Sequence, residues 1–228
     1  MTPDAFLRSL FARAVEVADP MQSLAAALPP KPEGRVVVIG AGKASARMAE
    51  AVEAEWGPCE GLVITRYGYA RPCQGIEIVE AAHPVPDAAG VAATRRLLDL
   101  LATCDENTFV LALISGGGSA LLIAPAGDVT LAEKQQLTAD LLASGAPIGE
   151  INGIRKELSA VKGGRLAAAA HPAKMLALMI SDVPGDAPGD IASGPTVGHD
   201  GSAARALDAL ATWNVTPPPA IQIFLDNG

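Results

Sequence analysis

Arg35-Val-Val-Val-Ile39, followed by Gly40-Ala-Gly42-Lys43-Ala44-Ser45, decides the fold. Five residues rich in β-branched side chains, with no polar alternation, read as a strand buried on both faces. Gly40-Ala-Gly42 turns the chain, and Lys43 to Glu55 returns to helical spacing through Ala46, Met48, Ala49 and Val52. The first strand therefore exits through glycine straight into a helix.

The same alternation extends outward in both directions. Upstream, Phe6, Leu7, Leu10, Phe11, Ala14 and Val15 recur at helical spacing over 4–18, and Pro29-Pro30-Lys31-Pro32 closes that region. Downstream, Leu62–Thr65, Ile76–Glu80, Phe109–Ile114 and Lys174–Ile180 read as strands, the last two buried. Between and after them lie helices over 87–101, 130–143, 148–159, 164–170, 202–211 and 219–226. Asp87 is a candidate N-cap, and Thr130 with Glu133 forms a capping box. Apolar strands separated by helices predict a single α/β domain over 1–228. It is doubly wound, with a mostly parallel sheet and helices on both faces, a Rossmann-like three-layer sandwich.

Composition agrees. The 228 residues are 50% hydrophobic and 18% charged, which excludes a disordered chain. The 17 basic against 25 acidic residues give a net charge of −8, which argues against a nucleic-acid surface or an anionic membrane surface. No stretch reaches the ~18 unbroken apolar residues of a membrane span. The three cysteines form no C-x-x-C pair, a pattern that fits a reducing cytosol and a cytoplasmic location.

Doubly wound folds bind ligands at the carboxyl ends of their strands, and four such ends carry chemistry. At Gly40-Ala-Gly42-Lys43, glycine permits a close turn and free amides at the helix start favour an anion. Neither a Walker A loop nor a full dinucleotide fingerprint is present, since Ser45 replaces the third glycine and Thr65-Arg66 stands where the ribose-binding acid would. Ser115-Gly116-Gly117-Gly118-Ser119 follows the most apolar strand and reads as a phosphate cradle of backbone amides and hydroxyls. Arg155, Lys156, Lys162 and Arg165 concentrate four cations in an acidic protein, with Arg155, Ser159 and Lys162 expected on one helical face. Ser181-Asp182 ends the last strand, and Asp182 is placed to hold Mg²⁺ or to orient a hydroxyl. Asp186, Asp190 and Ser193 lie in the Asp/Pro/Gly-rich stretch beyond it. His83, in Ala82-His83-Pro84-Val85-Pro86-Asp87, reads as structural. The plain alternative for all four ends is a set of turns with solvated charges.

These segments, in this order, resemble the class II glycerate 2-kinase family, whose members carry a MOFRL C-terminal domain and are often named hydroxypyruvate reductases. The strings that carry the resemblance are Gly40–Ser45, His83–Asp87, Ser115–Ala120, Ile154-Arg-Lys with Ser159–Leu166, and Ser181-Asp-Val with Ser193–Thr196. They span nearly the whole chain, although Glu157 stands where the family usually carries histidine.

The resemblance implies ATP- and Mg²⁺-dependent phosphorylation of D-glycerate to 2-phosphoglycerate in a cleft between two domains. It makes this chain the N-terminal domain, acting with a C-terminal MOFRL domain of the same polypeptide. It assigns Lys43 and Asp182 to catalysis, with Asp182 also the Mg²⁺ ligand. Gly40, Gly42, Ser115 to Ser119, Arg155, Lys156, Lys162 and Ser193 would bind phosphate or substrate. An NAD(P)H-dependent hydroxypyruvate reductase and a non-catalytic module that binds a phosphorylated metabolite are the competing readings, and a homodimer stays open.

Overall fold

The computed structural model describes residues 1–228. Five strands, β1 (Val36–Ala41), β2 (Glu60–Arg66), β3 (Ile76–Ala81), β4 (Phe109–Ser115) and β5 (Lys174–Ile180), form one sheet in the order β3-β2-β1-β4-β5. Every pairing is parallel. The chain builds outward from β1 through β2 to β3, then crosses over to place β4 on the other side of β1. The topological switch point therefore lies between β1 and β4.

The helices are α1 (Pro3–Ala18), α2 (Pro20–Ser23), α3 (Ser45–Trp56), α4 (Ala88–Leu101), α5 (Gly118–Leu121), α6 (Leu131–Ala143), α7 (Ile148–Glu157), α8 (Arg165–Ala169), α9 (Ala203–Thr212) and α10 (Pro219–Asp226). Side chains alternate across a strand, so β1 supplies both halves of the core. Val37, Ile39 and Ala41 pack with Leu97 and Leu101 of α4 and Leu166 of α8. Val36 and Val38 pack with Met48, Ala49 and Val52 of α3. A third cluster joins α6, α7, α9 and α10 through Leu137, Leu141, Ile154, Leu210, Ile221 and Leu225.

The expected caps form. The Asp87 side chain accepts from Gly90 N–H at 3.0 Å, and Thr130 and Glu133 close the capping box reciprocally. Three expectations need correction. β5 is a half-exposed edge strand, because only β4 pairs with it. Helix α7 stops at Glu157 instead of running to Ser159. The Ser159 hydroxyl instead accepts from the amides of Val161 and Lys162, and its backbone bridges to Pro125. Arg155 and Lys162 thus do not share a helical face. In α1 the predicted apolar stripe stays in solvent: Leu7 and Phe11 are 64% and 73% exposed. No helix is long and apolar enough to cross a membrane.

Candidate active site at the switch point

The Gly42–Lys43 turn after β1 and the Ser115–Ser119 turn after β4 lie side by side at the carboxyl end of the sheet. Lys43 N–H donates to Gly116 O at 2.8 Å, and Ala44 N–H donates to the Ser115 hydroxyl at 3.1 Å. The hydroxyls of Ser45 and Ser115 lie 3.0 Å apart. Ser45, the residue that spoils a dinucleotide fingerprint, is therefore one half of the link between the two turns.

This arrangement changes what the first turn can offer. Gly42 N–H donates to Ile64 O, and Ser45 N–H donates back to Gly42 O. With Lys43 and Ala44 also engaged, the expected free amides of this turn are all consumed by the protein. Gly40 lies within β1 against Leu113. What the first turn contributes is the Lys43 ammonium. It donates to Asp182 Oδ2 at 3.0 Å, bringing together two residues 139 positions apart. The two side chains are 41% and 49% exposed. Exposed pairs contribute about 0–1 kcal/mol, so this one does little to hold the fold and leaves both charges within reach of a ligand.

The glycine turn is different. The amides of Gly116, Gly117, Gly118 and Ser119 donate to no protein acceptor. Gly117 has φ +84°, a left-handed conformation that costs an L-residue about 1–2 kcal/mol. A side chain at Gly116 would overlap the Asp182 carboxylate. The Ser119 and Ser193 hydroxyls lie 2.7 Å apart, so Ser193 joins this end of the turn. The site is thus four unpaired amides, two hydroxyls, one ammonium and one carboxylate.

The basic segment divides. An Arg155 Nη donates to Ser119 O at 3.5 Å, which places Arg155 at the margin of the glycine turn. Lys156 Nζ reaches Asp190 Oδ1 at 3.6 Å. Lys162 lies in the core, where its ammonium donates to Leu122 O at 2.8 Å. Burial holds its pKa well below the usual lysine value, with Lys134 and Arg155 adding to the effect. Its expected direct contact with an anion is corrected to a buried staple. Lys134 had no sequence signal beyond its place in a helix. It is buried as well and donates to Leu158 O. Burial, then Arg155 and Arg165, lower its pKa to about 7. Glu157 is held by Arg165 at 3.2 Å and lies 3.5 Å from His199. A groove of about 490 Å³ runs between α7 and α9; of the predicted site residues only Lys156 lines it.

His83, read as structural from the sequence, enters the site. The point that a Cβ on Gly117 would occupy is 2.9 Å from His83 Nε2 and 3.0 Å from Lys43 Cγ. Burial, then Lys43 and Arg66, lower the histidine pKa, against a smaller opposing effect of Asp182. Spacing alone could not reveal this, because the contact crosses from the β3–α4 loop to the turn after β4.

Fold and site together define a doubly wound α/β protein with a glycine-rich crevice at its switch point. The chain belongs to the family described as "Domain of unknown function (DUF4147)", which matches residues 6–226. Among curated relatives, an Agrobacterium vitis protein named "Putative hydroxypyruvate reductase" is 49% identical over 97% of this chain and 51% of its own length. A D-glycerate 2-kinase of Thermotoga maritima is 42% identical over 92% of this chain and 51% of its own. The crystal structure of a Thermotoga maritima glycerate kinase superposes with a TM-score of 0.87 at 40% identity, covering 96% of this chain and 55% of that one. The chain thus spans about half the length of the relatives it matches, and the resemblance read from its motifs holds.

Proposed function

We propose that this chain is the N-terminal, phosphoryl-positioning domain of an ATP-dependent glycerate 2-kinase that converts D-glycerate to 2-phosphoglycerate. The observation that carries the reading is the 3.0 Å pairing of Lys43 with Asp182 directly beside four unpaired amides. Phosphoryl transfer asks a protein mainly for positioning and electrostatic stabilisation, and these are the groups that supply both. The relatives are about twice as long, which supports a C-terminal MOFRL domain facing the open side of the crevice.

The amides of Gly116 to Ser119, with the Ser119 and Ser193 hydroxyls, hold phosphate or carboxylate oxygens. Lys43 places a point charge where negative charge gathers during transfer. Asp182 has Oδ2 on Lys43 and Oδ1 unengaged, and no group of three or more His, Cys, Asp or Glu side chains surrounds it. One carboxylate with the remaining positions left to water and phosphate suits Mg²⁺. When bound, that ion neutralises phosphate charge. Arg155 steadies the far end of the glycine turn through the Ser119 carbonyl.

The name of the Agrobacterium vitis relative keeps the reductase reading in view. Two features of the crevice weigh against it: Arg66 rather than an acid ends β2, and Gly42 N–H is committed to Ile64 O. Incubation of the full-length polypeptide with ATP, Mg²⁺ and D-glycerate, and separately with NADH and hydroxypyruvate, decides between them. Glycerate-dependent ADP release is expected. NADH oxidation without ADP release rejects the proposal.

A further inference from the structure

We propose that His83 Nε2 is the proton acceptor for the glycerate hydroxyl, an assignment that rests on the kinase reading above. Three observations lead there. First, position: the imidazole edge and the Lys43 stem both lie within about 3 Å of one point over Gly117, so any ligand seated on the glycine turn has His83 on its flank. Second, availability: no protein group accepts from or donates to either ring nitrogen, and the ring is only partly buried. Third, charge: Lys43 from the turn after β1 and Arg66 at the end of β2 face the ring, against the single carboxylate of Asp182 beyond β5. Burial first, and then this field, push the imidazole toward its neutral form, the form that can take a proton.

The site contains one rival acceptor. Asp182 is already paired with Lys43 at 3.0 Å. Proton acceptance is most effective from a group whose pKa lies just below the working pH, where it is both mostly unprotonated and still basic. His83 has no protein partner while Asp182 is held by Lys43, which leaves Asp182 to orient the hydroxyl or hold the metal. In the step, the hydroxyl proton passes to Nε2 and the hydroxyl oxygen forms its bond to the terminal phosphorus of the nucleoside triphosphate. The P–O bond to the nucleoside diphosphate breaks, and its electron pair leaves with the diphosphate. His83 then returns the proton to solvent.

The test is the pH profile of kcat for the full-length polypeptide at saturating ATP and D-glycerate, in wild type and in His83→Gln. Wild type is expected to lose activity as pH falls through the histidine pKa. His83→Gln is expected to lower kcat by about 10²–10⁴-fold and to abolish that acid limb, with KM for both substrates little changed. An acid limb that survives in His83→Gln, or a kcat within about threefold of wild type, overturns the role of His83 while leaving the kinase reading standing. Absence of glycerate-dependent ADP release in wild type overturns both. A second readout needs no turnover: imidazole NMR of this chain titrated with inorganic phosphate. Phosphate is expected to raise the His83 pKa and leave His171 and His199 unmoved, whereas an unmoved His83 overturns its place beside the ligand.

Discussion

The carboxylate of Asp182 occupies the space that a side chain on Gly116 would need. The glycine turn is therefore shaped as much by what approaches it from β5 as by its own backbone. Gly116→Ala is expected to push Asp182 aside and break its 3.0 Å pairing with Lys43. Because that pair is exposed, the thermal midpoint should change little while turnover collapses. Paired measurements of Tm and kcat check this; a large drop in Tm with kcat retained would contradict it.

Lys43 provides the complementary case. Removing one electrostatic stabiliser of a transition state costs on the order of 100-fold or more in kcat. Lys43→Ala in the full-length enzyme is expected to lose at least ~100-fold in kcat and less than about 1 kcal/mol of stability. Near-normal kcat would remove the ammonium from the chemistry.

Lys134 makes a prediction about stability and pH. Its folded pKa is about 7, against an ordinary value of 10.5. Below about 7 the amine is protonated in both states, and the full cost of burying an ammonium weighs on the fold. Between about 7 and 10.5 the unfolded chain holds a proton that the native chain has released, so stability rises with pH, by up to about 1.4 kcal/mol per unit. Lys162 adds a contribution of the same sign. Lys134→Met is expected to flatten that slope because it removes the titrating amine, while Leu158 O keeps its bond from Ala126 N–H. Denaturant unfolding at a series of pH values reads the difference.

Glu53 shows the opposite balance. Burial pushes its carboxyl up, but it accepts from the amides of Gln74, Gly75, Ile76 and Cys59, which together bring it below its ordinary value. Its stabilisation is present above the unfolded carboxyl pKa and is lost as pH falls through the lower folded one. Glu53→Gln, which turns an amide toward those donors, is expected to cost about 2 kcal/mol at pH 7 and to weaken the acid dependence. Urea unfolding at neutral and acidic pH checks both.

Much of this was legible in the residues. The apolar run from Val36 could only be a two-face-buried strand, and Asp87 and Thr130 announced their helices, because these signals are local. The failures were relational. Nothing in Lys174–Ile180 says that its far side lacks a neighbour; that depends on strand order. Lys162 lay in a basic run, yet its stem passes into the core to reach a carbonyl forty residues away. Lys134 followed a capping box and carried no mark of its burial. His83 needed the β3–α4 loop to fold back over a glycine from another strand. The glycines, Lys43 and Asp182 were found because close approach and charge leave marks in sequence; which of them touch was not, because contact does not.

The Ser115 hydroxyl, which takes the Ala44 amide and meets Ser45, has a consequence for how a ligand is met. It ties two separate βα corners together, so the backbone that carries Lys43 and the amide cradle are held in register before a ligand arrives. The conformational entropy of aligning them is lost at folding instead of at encounter, and that preorganisation lets a hydroxyl already engaged by the protein strengthen affinity without touching the guest.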